Sequence, residues 1–148
     1  IMAKRGLFFV PFMGWHLWTA GHFPIDRRDI RKTAQSLRRV IDGVRGGTSI
    51  AVFPEGSRSS DGHLQEFKSG AFKIALRAGV PIVPVTIRGA FRLLPPNTLA
   101  PRPGRIDVIL GYPIETQDYD EPRLQELIEL TTAAIRRTLA EEIHSNHE

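Results

Sequence analysis

Short apolar runs of strand length alternate along this chain with stretches whose apolar residues recur at helical spacing. That alternation narrows the fold more than any other feature. Thr48–Phe53 is a β-type run that stops at Pro54, Pro81–Arg88 is apolar nearly throughout, and Arg105–Leu110 is a third such run. Between them, Arg28–Arg45 carries Ile30, Ala34, Leu37, Ile41 and Val44 on one side of a helix, with a basic face opposite and Gly46-Gly47 to end it. Ser69 reads as the N-cap of a helix through Ala78, closed by Gly79. From about Pro122 to Glu142, Leu124, Leu127, Ile128, Thr131, Ala134 and Ile135 share a helix face, and His144–Glu148 reads as a frayed tail. The order β-α-β-α-β-β-α predicts an α/β fold, a largely parallel central sheet flanked by helices, in one domain over residues 1–148. Its Pro81–Arg88 strand should be covered on both faces.

The composition removes whole classes of chemistry. There is no cysteine, so disulfide scaffolds, thiolate metal sites and thiol nucleophiles are excluded. No run reaches the ~18 apolar residues that a membrane span requires. The most apolar stretch, Gly6–Ile25, is interrupted by Pro11, Gly14, His16 and Gly21 and reads as short helices plus a strand. Charge is uneven: residues 1–92 hold 15 Lys/Arg against 6 Asp/Glu, and residues 93–148 hold 5 against 10, so +9 and −5 make the net +4. A basic leading part suits an anionic partner, whether a phosphate ester, an acidic membrane surface or nucleic acid; a solvated helix face is the bland alternative. Aromatics do not interleave with the arginines as base-stacking platforms require, which argues against nucleic acid.

Three local patterns carry chemistry. Pro54-Glu55-Gly56-Ser57-Arg58-Ser59 follows a strand-like run at its carboxyl end, where open α/β sheets bind ligands. Gly56 permits close backbone approach, Ser57 and Ser59 offer hydroxyls, and Arg58 offers a fork suited to phosphate. Glu55 could orient that arginine or accept from a substrate hydroxyl. Upstream, Gly21–Arg27 reads as a strand that delivers Asp26 and Arg27 to its end. Downstream, Lys68 stands at the mouth of a helix N-terminus, where the N–H groups and the dipole favour an anion.

Taken together these blocks resemble the lysophosphatidic acid acyltransferase branch of the glycerolphosphate acyltransferase superfamily. The G-x-x-x-I-x-R block is matched from Gly21 to Arg27, F-P-E-G-[ST]-R-S from Phe53 to Ser59, and V-P-I-V-P-V from Val80 to Val85. Ala3–Leu7 and Val10–Trp15 are similar as well, and the likeness extends from Ile1 to about Gly111. The resemblance implies that Arg27, Glu55, Gly56, Ser57 and Arg58 hold the glycerol phosphate of the acceptor, with Lys68 and Lys4 as further candidates for that cluster. It implies direct acyl transfer from acyl-CoA or acyl-carrier protein to the 2-hydroxyl of 1-acylglycerol-3-phosphate, with no metal and no bound cofactor. A membrane surface on the cytoplasmic side is the implied location. Leu7–Trp18, with Phe8, Phe9, Phe12, Trp15 and Trp18, could dip into an interface or be buried in the core.

One block of the family is missing. Its H-x-x-x-x-D histidine is the general base, with the aspartate orienting the ring. Five residues beyond His16, His22 and His63 stand Gly21, Arg27 and Lys68, and His144 and His147 lie too near the end. The expectation is that the block precedes Ile1. The rival reading is a non-catalytic relative that binds anionic lipid or phosphate. Another lysophospholipid, or glycerol-3-phosphate, is the alternative acceptor.

Overall fold

The computed structural model describes residues 2–4, 23–25, 30–96, 98 and 100–140. The elements are β1 (Met2–Lys4), β2 (Phe23–Ile25), α1 (Ile30–Arg45), α2 (Gly70–Ala78), β3 (Val85–Arg88), α3 (Ala90–Leu93), β4 (Asp107–Leu110) and α4 (Leu124–Ala140). They fall into two compact units: residues 1–52 with 77–79, and residues 53–76 with 80–148.

In the first unit β1 and β2 pair in parallel, Met2 beside Phe23 and Lys4 beside Ile25. Helix α1 follows the predicted periodicity and buries Val40, Ile41 and Val44. Val40, only 2 % exposed, was not among the apolar positions picked out by spacing. Past Gly46 the chain turns through Gly47 at φ 91, where a left-handed residue releases the helix.

The second unit holds the larger core. Phe67, Phe72, Leu127, Ile128 and Ile135 pack together, with Phe67 and Phe72 stacked at 6.3 Å between ring centroids. Helix α4 supplies three of these from the face that its sequence pattern marks. Its start is fixed by Asp120, whose carboxylate accepts the Arg123 N–H at 3.0 Å, while Arg123 pairs with Glu126 at 2.8 Å and covers the Tyr119 ring. Threonines of α4 bond back to the helix, Thr131 to the Leu127 carbonyl at 2.8 Å.

Three expectations change. The described strands form one parallel pair and one antiparallel pair, β3 with β4, rather than a largely parallel central sheet. A parallel partner for β3 would need a crossover to its opposite end. Here Gly89, at φ 83, turns the chain directly into the single turn of α3, and the Arg102 N–H donates to the Leu93 carbonyl at 2.7 Å. The connection therefore stays at one end of the pair. Second, Thr48–Phe53 has no strand structure, and Phe53 is 65 % exposed. A β-type run becomes a strand only by pairing, and this one has no ladder partner among the described residues. Third, the Pro81–Arg88 run pairs as a strand only from Val85, with an isolated bridge between Ile82 and Ile114, because Pro84 has no N–H to donate. One face of β3–β4, with Val85, Ile87, Val108 and Leu110, is exposed, whereas Thr86 on the other face is buried. The strand is covered on one side, not both.

Of the stretch Gly6–Ile25, expected as short helices plus a strand, only Phe23–Ile25 is described, as β2. The rest, with the interfacial stretch Leu7–Trp18, and the frayed tail His144–Glu148 lie outside the described residues. Among those described, no helix is long and apolar enough to cross a membrane.

Candidate functional site

The segment from Phe53 to Lys68 closes on itself. The Gly56 N–H donates to the Phe53 carbonyl at 3.1 Å, forming a tight turn that puts Gly56 at φ 76. A side chain at that angle is disfavoured, so glycine is required. The far end returns through two bonds: the Lys68 N–H donates to the Pro54 carbonyl at 2.9 Å, and the Gln65 N–H donates to a Glu55 carboxylate oxygen at 2.9 Å. Compact loops whose ends meet in this way hold functional residues in place without regular structure.

Inside the loop a second turn is built from side chains. Ser59 donates its hydroxyl to Asp61 at 2.9 Å, and its oxygen accepts the Gly62 N–H at 2.9 Å. Asp61 also accepts the His63 N–H at 3.0 Å. That backbone donor is the main reason the Asp61 carboxyl is held below its ordinary value, with the Ser59 hydroxyl next. Gly62, at φ 85, lies under the Phe91 ring; a Cβ there would stand 3.1 Å from it.

Lys68 is the centre of the arrangement. Its neighbour Phe67 is buried in the core, which fixes the backbone, and its side chain folds back over Gly56. A Cβ built on Gly56 would come within 2.8 Å of the Lys68 ammonium nitrogen. Helix α2 begins two residues later, and the Ser69 carbonyl accepts the Lys73 N–H at 3.0 Å. Glu55, Ser57, Lys68 and Ser69 line a cavity of about 580 Å³ together with Gln65, Glu66, Phe67 and, from α4, Gln125 and Ile128. An ammonium, two hydroxyls and the open end of a nine-residue helix thus meet at one place. The carboxylates of Glu55, tied to the Gln65 N–H, and Glu66 lie beside them, so an anion is received at the Lys68 and helix side of the cavity.

Of the residues singled out in the sequence, Glu55, Gly56, Ser57 and Lys68 come together here. Arg58 is exposed, is not part of the cavity wall, and has no hydrogen-bond or ion-pair partner among the described residues. Glu55 is bonded to the Gln65 backbone, so one of its oxygens ties the loop shut. Arg27 lies outside the described residues, and Lys4 is placed only as the last residue of β1. Sequence reasoning missed Gln65, Gln125 and Ile128. Ile128 was marked only as core, while the two glutamines carry no local signal of their own.

Comparisons with known proteins bear on this loop directly. The family model described as Acyltransferase matches residues 1–88, which contain the whole of it. The chloroplastic 1-acyl-sn-glycerol-3-phosphate acyltransferase BAT2 of Brassica napus is 40% identical over 114 residues, covering 76% of this chain and 33% of that protein. The 1-acyl-sn-glycerol-3-phosphate acyltransferase of Salmonella typhimurium is 32% identical over 141 residues, 95% of this chain and 57% of that one. Among solved structures, the 1-acyl-sn-glycerophosphate (LPA) acyltransferase PlsC from Thermotoga maritima superposes with a TM-score of 0.82 at 26% identity, covering 97% of this chain and 56% of its own. The chain thus spans between a third and somewhat over half of the length of these relatives.

Proposed function

The chain belongs to the acyltransferase family, and from that premise we propose that it serves to move a fatty acyl group onto the 2-hydroxyl of 1-acylglycerol-3-phosphate, giving phosphatidic acid. The names carried by its relatives support the acceptor. The observation that carries the reading here is Lys68, folded over Gly56 at the start of α2 and on the wall of a cavity with two serines.

In this reading the acceptor phosphate lies against the Lys68 ammonium and the α2 N-terminus, and Arg58, one residue beyond the cavity wall, swings in to complete the clamp. The free 2-hydroxyl then reacts with a thioester donor, acyl-CoA or acyl-carrier protein. Its oxygen bonds to the acyl carbon, the C–S bond breaks, and the thiol leaves with the proton that the base removed. The family resemblance assigns that base to the histidine of an H-x-x-x-x-D block, which residues 1–148 do not contain. Holding the hydroxyl against the thioester supplies the rate, an effect that reaches ~7–11 kcal/mol in well-oriented pairs. Acceptor and product are amphiphiles, so the reaction takes place at a membrane surface, on its cytoplasmic side.

The test is phosphatidic acid formation by the protein expressed from its whole reading frame, with Arg58→Ala and Lys68→Ala beside it. Each substitution should lower kcat/KM for the acceptor about 100-fold, or about 2.7 kcal/mol of transition-state stabilisation, with the donor KM unchanged. Unchanged acceptor kinetics in both variants removes the loop from the acceptor site. The second reading is a phosphate binder without turnover, which needs only the Lys68 cavity and no H-x-x-x-x-D histidine. Acceptor binding with no product would establish it.

A further inference from the structure

The second unit contains another cavity, of about 940 Å³, at the end of the β3–β4 pair. Four arginines line it, Arg88, Arg92, Arg102 and Arg105, against a single carboxylate, Asp107, which pairs with Arg105 at 2.5 Å. The sequence scatters these residues over a proline-rich connection, and two glycines bring them together. At Gly89 a Cβ would collide with the Arg105 carbonyl oxygen, and at Gly104 one would meet the Leu93 side chain at 2.9 Å. The absent side chain at Gly89 is what lets the end of β3 approach the backbone before β4, while Gly104 leaves room for the Leu93 side chain. The bond from the Arg102 N–H to the Leu93 carbonyl then holds them there.

This is more than a solvated charge run. Arg88 is half-buried; it donates from Nη2 to the Thr138 carbonyl, while its Nε is buried with no acceptor. Arg102 and Arg105 are exposed, and Arg105 holds Asp107 through Nε alone, so its two terminal nitrogens point donors at a ligand as well. Leu93 and Ile106 add apolar wall between the charges. Concavity, excess positive charge and apolar patches suit a compact group bearing several phosphates and a flat ring, better than they suit the plane of a bilayer.

Distance adds a second argument. Ile128, on the wall of the Lys68 cavity, and Thr138, bonded to Arg88, are ten residues apart on α4, which is about 15 Å along the helix. A pantetheine arm is about as long as a four- to five-residue extended chain, roughly 15 Å. We propose that the arginine cavity binds the phosphate-bearing nucleotide end of the acyl donor, so that the donor is a coenzyme A thioester whose arm reaches along α4 toward Lys68. This rests on the acyltransfer reading above and decides between its two donors.

The experiment is calorimetric titration of the whole protein and of an Arg102→Glu/Arg105→Glu variant with coenzyme A, dephospho-coenzyme A, holo-acyl-carrier protein and glycerol 3-phosphate. Both substituted residues are exposed, and circular dichroism melting checks that the variant folds. Charge reversal should weaken coenzyme A at least tenfold and leave glycerol 3-phosphate unchanged, while Arg58→Ala does the opposite; dephospho-coenzyme A should bind the parent protein more weakly than coenzyme A. An unchanged coenzyme A affinity in the reversed variant overturns the proposal. So does binding of holo-acyl-carrier protein in place of coenzyme A, or loss of glycerol 3-phosphate instead. Turnover in the same preparations separates the two readings. Normal turnover with an unaltered coenzyme A thioester KM in the reversed variant overturns the arginine cavity alone. Coenzyme A binding through Arg102 and Arg105 without any phosphatidic acid overturns the acyltransfer reading, and the donor role with it.

Discussion

The cavity at Lys68 and the cavity at Arg88 are joined by the same helix, α4, yet they are made from different materials. The first is lined by two carboxylates and one lysine, and its shape comes from a loop closed by backbone and side-chain hydrogen bonds. The second is lined by four arginines and one carboxylate, and its shape comes from two glycines, Gly89 against the Arg105 backbone and Gly104 against the Leu93 side chain. The contrast separates positioning from charge. A site with little excess charge of its own must gain affinity from orientation, through a helix N-terminus and one placed ammonium, and from an arginine that joins on binding. A site crowded with guanidinium groups attracts any polyanion and depends on its concave shape for selectivity.

The sharpest way to break the comparison is to loosen what the cavities share. Leu127 is 0 % exposed and sits in the core beside Ile128. Leu127→Ala should destabilise the protein by about 3–4 kcal/mol, because it removes buried methyl groups and leaves a void. Denaturant unfolding measures the loss. If α4 is the common support, binding of coenzyme A and of glycerol 3-phosphate should both weaken at temperatures where the variant begins to melt. Loss of one with the other intact would mean that the two cavities stand on separate foundations.

How far each cavity could be read from the sequence follows from the same contrast. The loop Phe53–Ser59 is contiguous, so its chemistry was legible as a motif, and Lys68 stood out by its place at a helix mouth. What closes the loop was not legible, because Gln65 contributes a backbone N–H and any residue but proline has one. The arginine cavity was invisible. Summing charge over residues 1–92 and 93–148 assigned Arg88 and Arg92 to a basic part and Arg102 and Arg105 to an acidic one, although the fold lines one cavity with all four. The helices α1 and α4 were read from period 3.6, which needs no partner. The strands were harder, since Thr48–Phe53 has the composition of a strand but lacks a ladder, and the pairing direction of β3 was decided by Gly89 and by the bond from Arg102.

A change confined to the first cavity sharpens the comparison. Gly56→Ala forces a side chain into φ 76 and against the Lys68 ammonium. The backbone strain costs about 1–2 kcal/mol, and the displaced lysine should reduce acceptor kcat/KM roughly tenfold, smaller than the loss on deleting Lys68 itself. Coenzyme A affinity should not move. An equal loss at both sites, seen by the same titrations, would show that the loop and the arginine cavity are coupled, and Phe91 over Gly62 is the contact through which that would pass.

The smallest effect concerns acid. Asp61 is exposed, and its carboxylate accepts the His63 N–H and the Ser59 hydroxyl, which together hold its pKa below the ordinary aspartate value. A group whose folded pKa lies below its unfolded value contributes stability above the unfolded value and loses it as pH falls through the folded one. The turn should therefore be intact from neutral pH down to about 4, opening below that as Asp61 takes up a proton. The bond from Arg102 to Leu93 joins two backbone groups and has no carboxylate to protonate, so the arginine cavity should keep its turn over the same range. Amide NMR shifts of His63 and Arg102, followed from pH 6 to pH 2, compare the two directly. A His63 shift that moves only below the ordinary aspartate range while that of Arg102 stays flat is the expected result, and Asp61→Asn should abolish the His63 movement. Parallel movement of both amides would mean that acid acts on the whole unit, and the Asp61 turn would then have no separate role in shaping the Lys68 cavity.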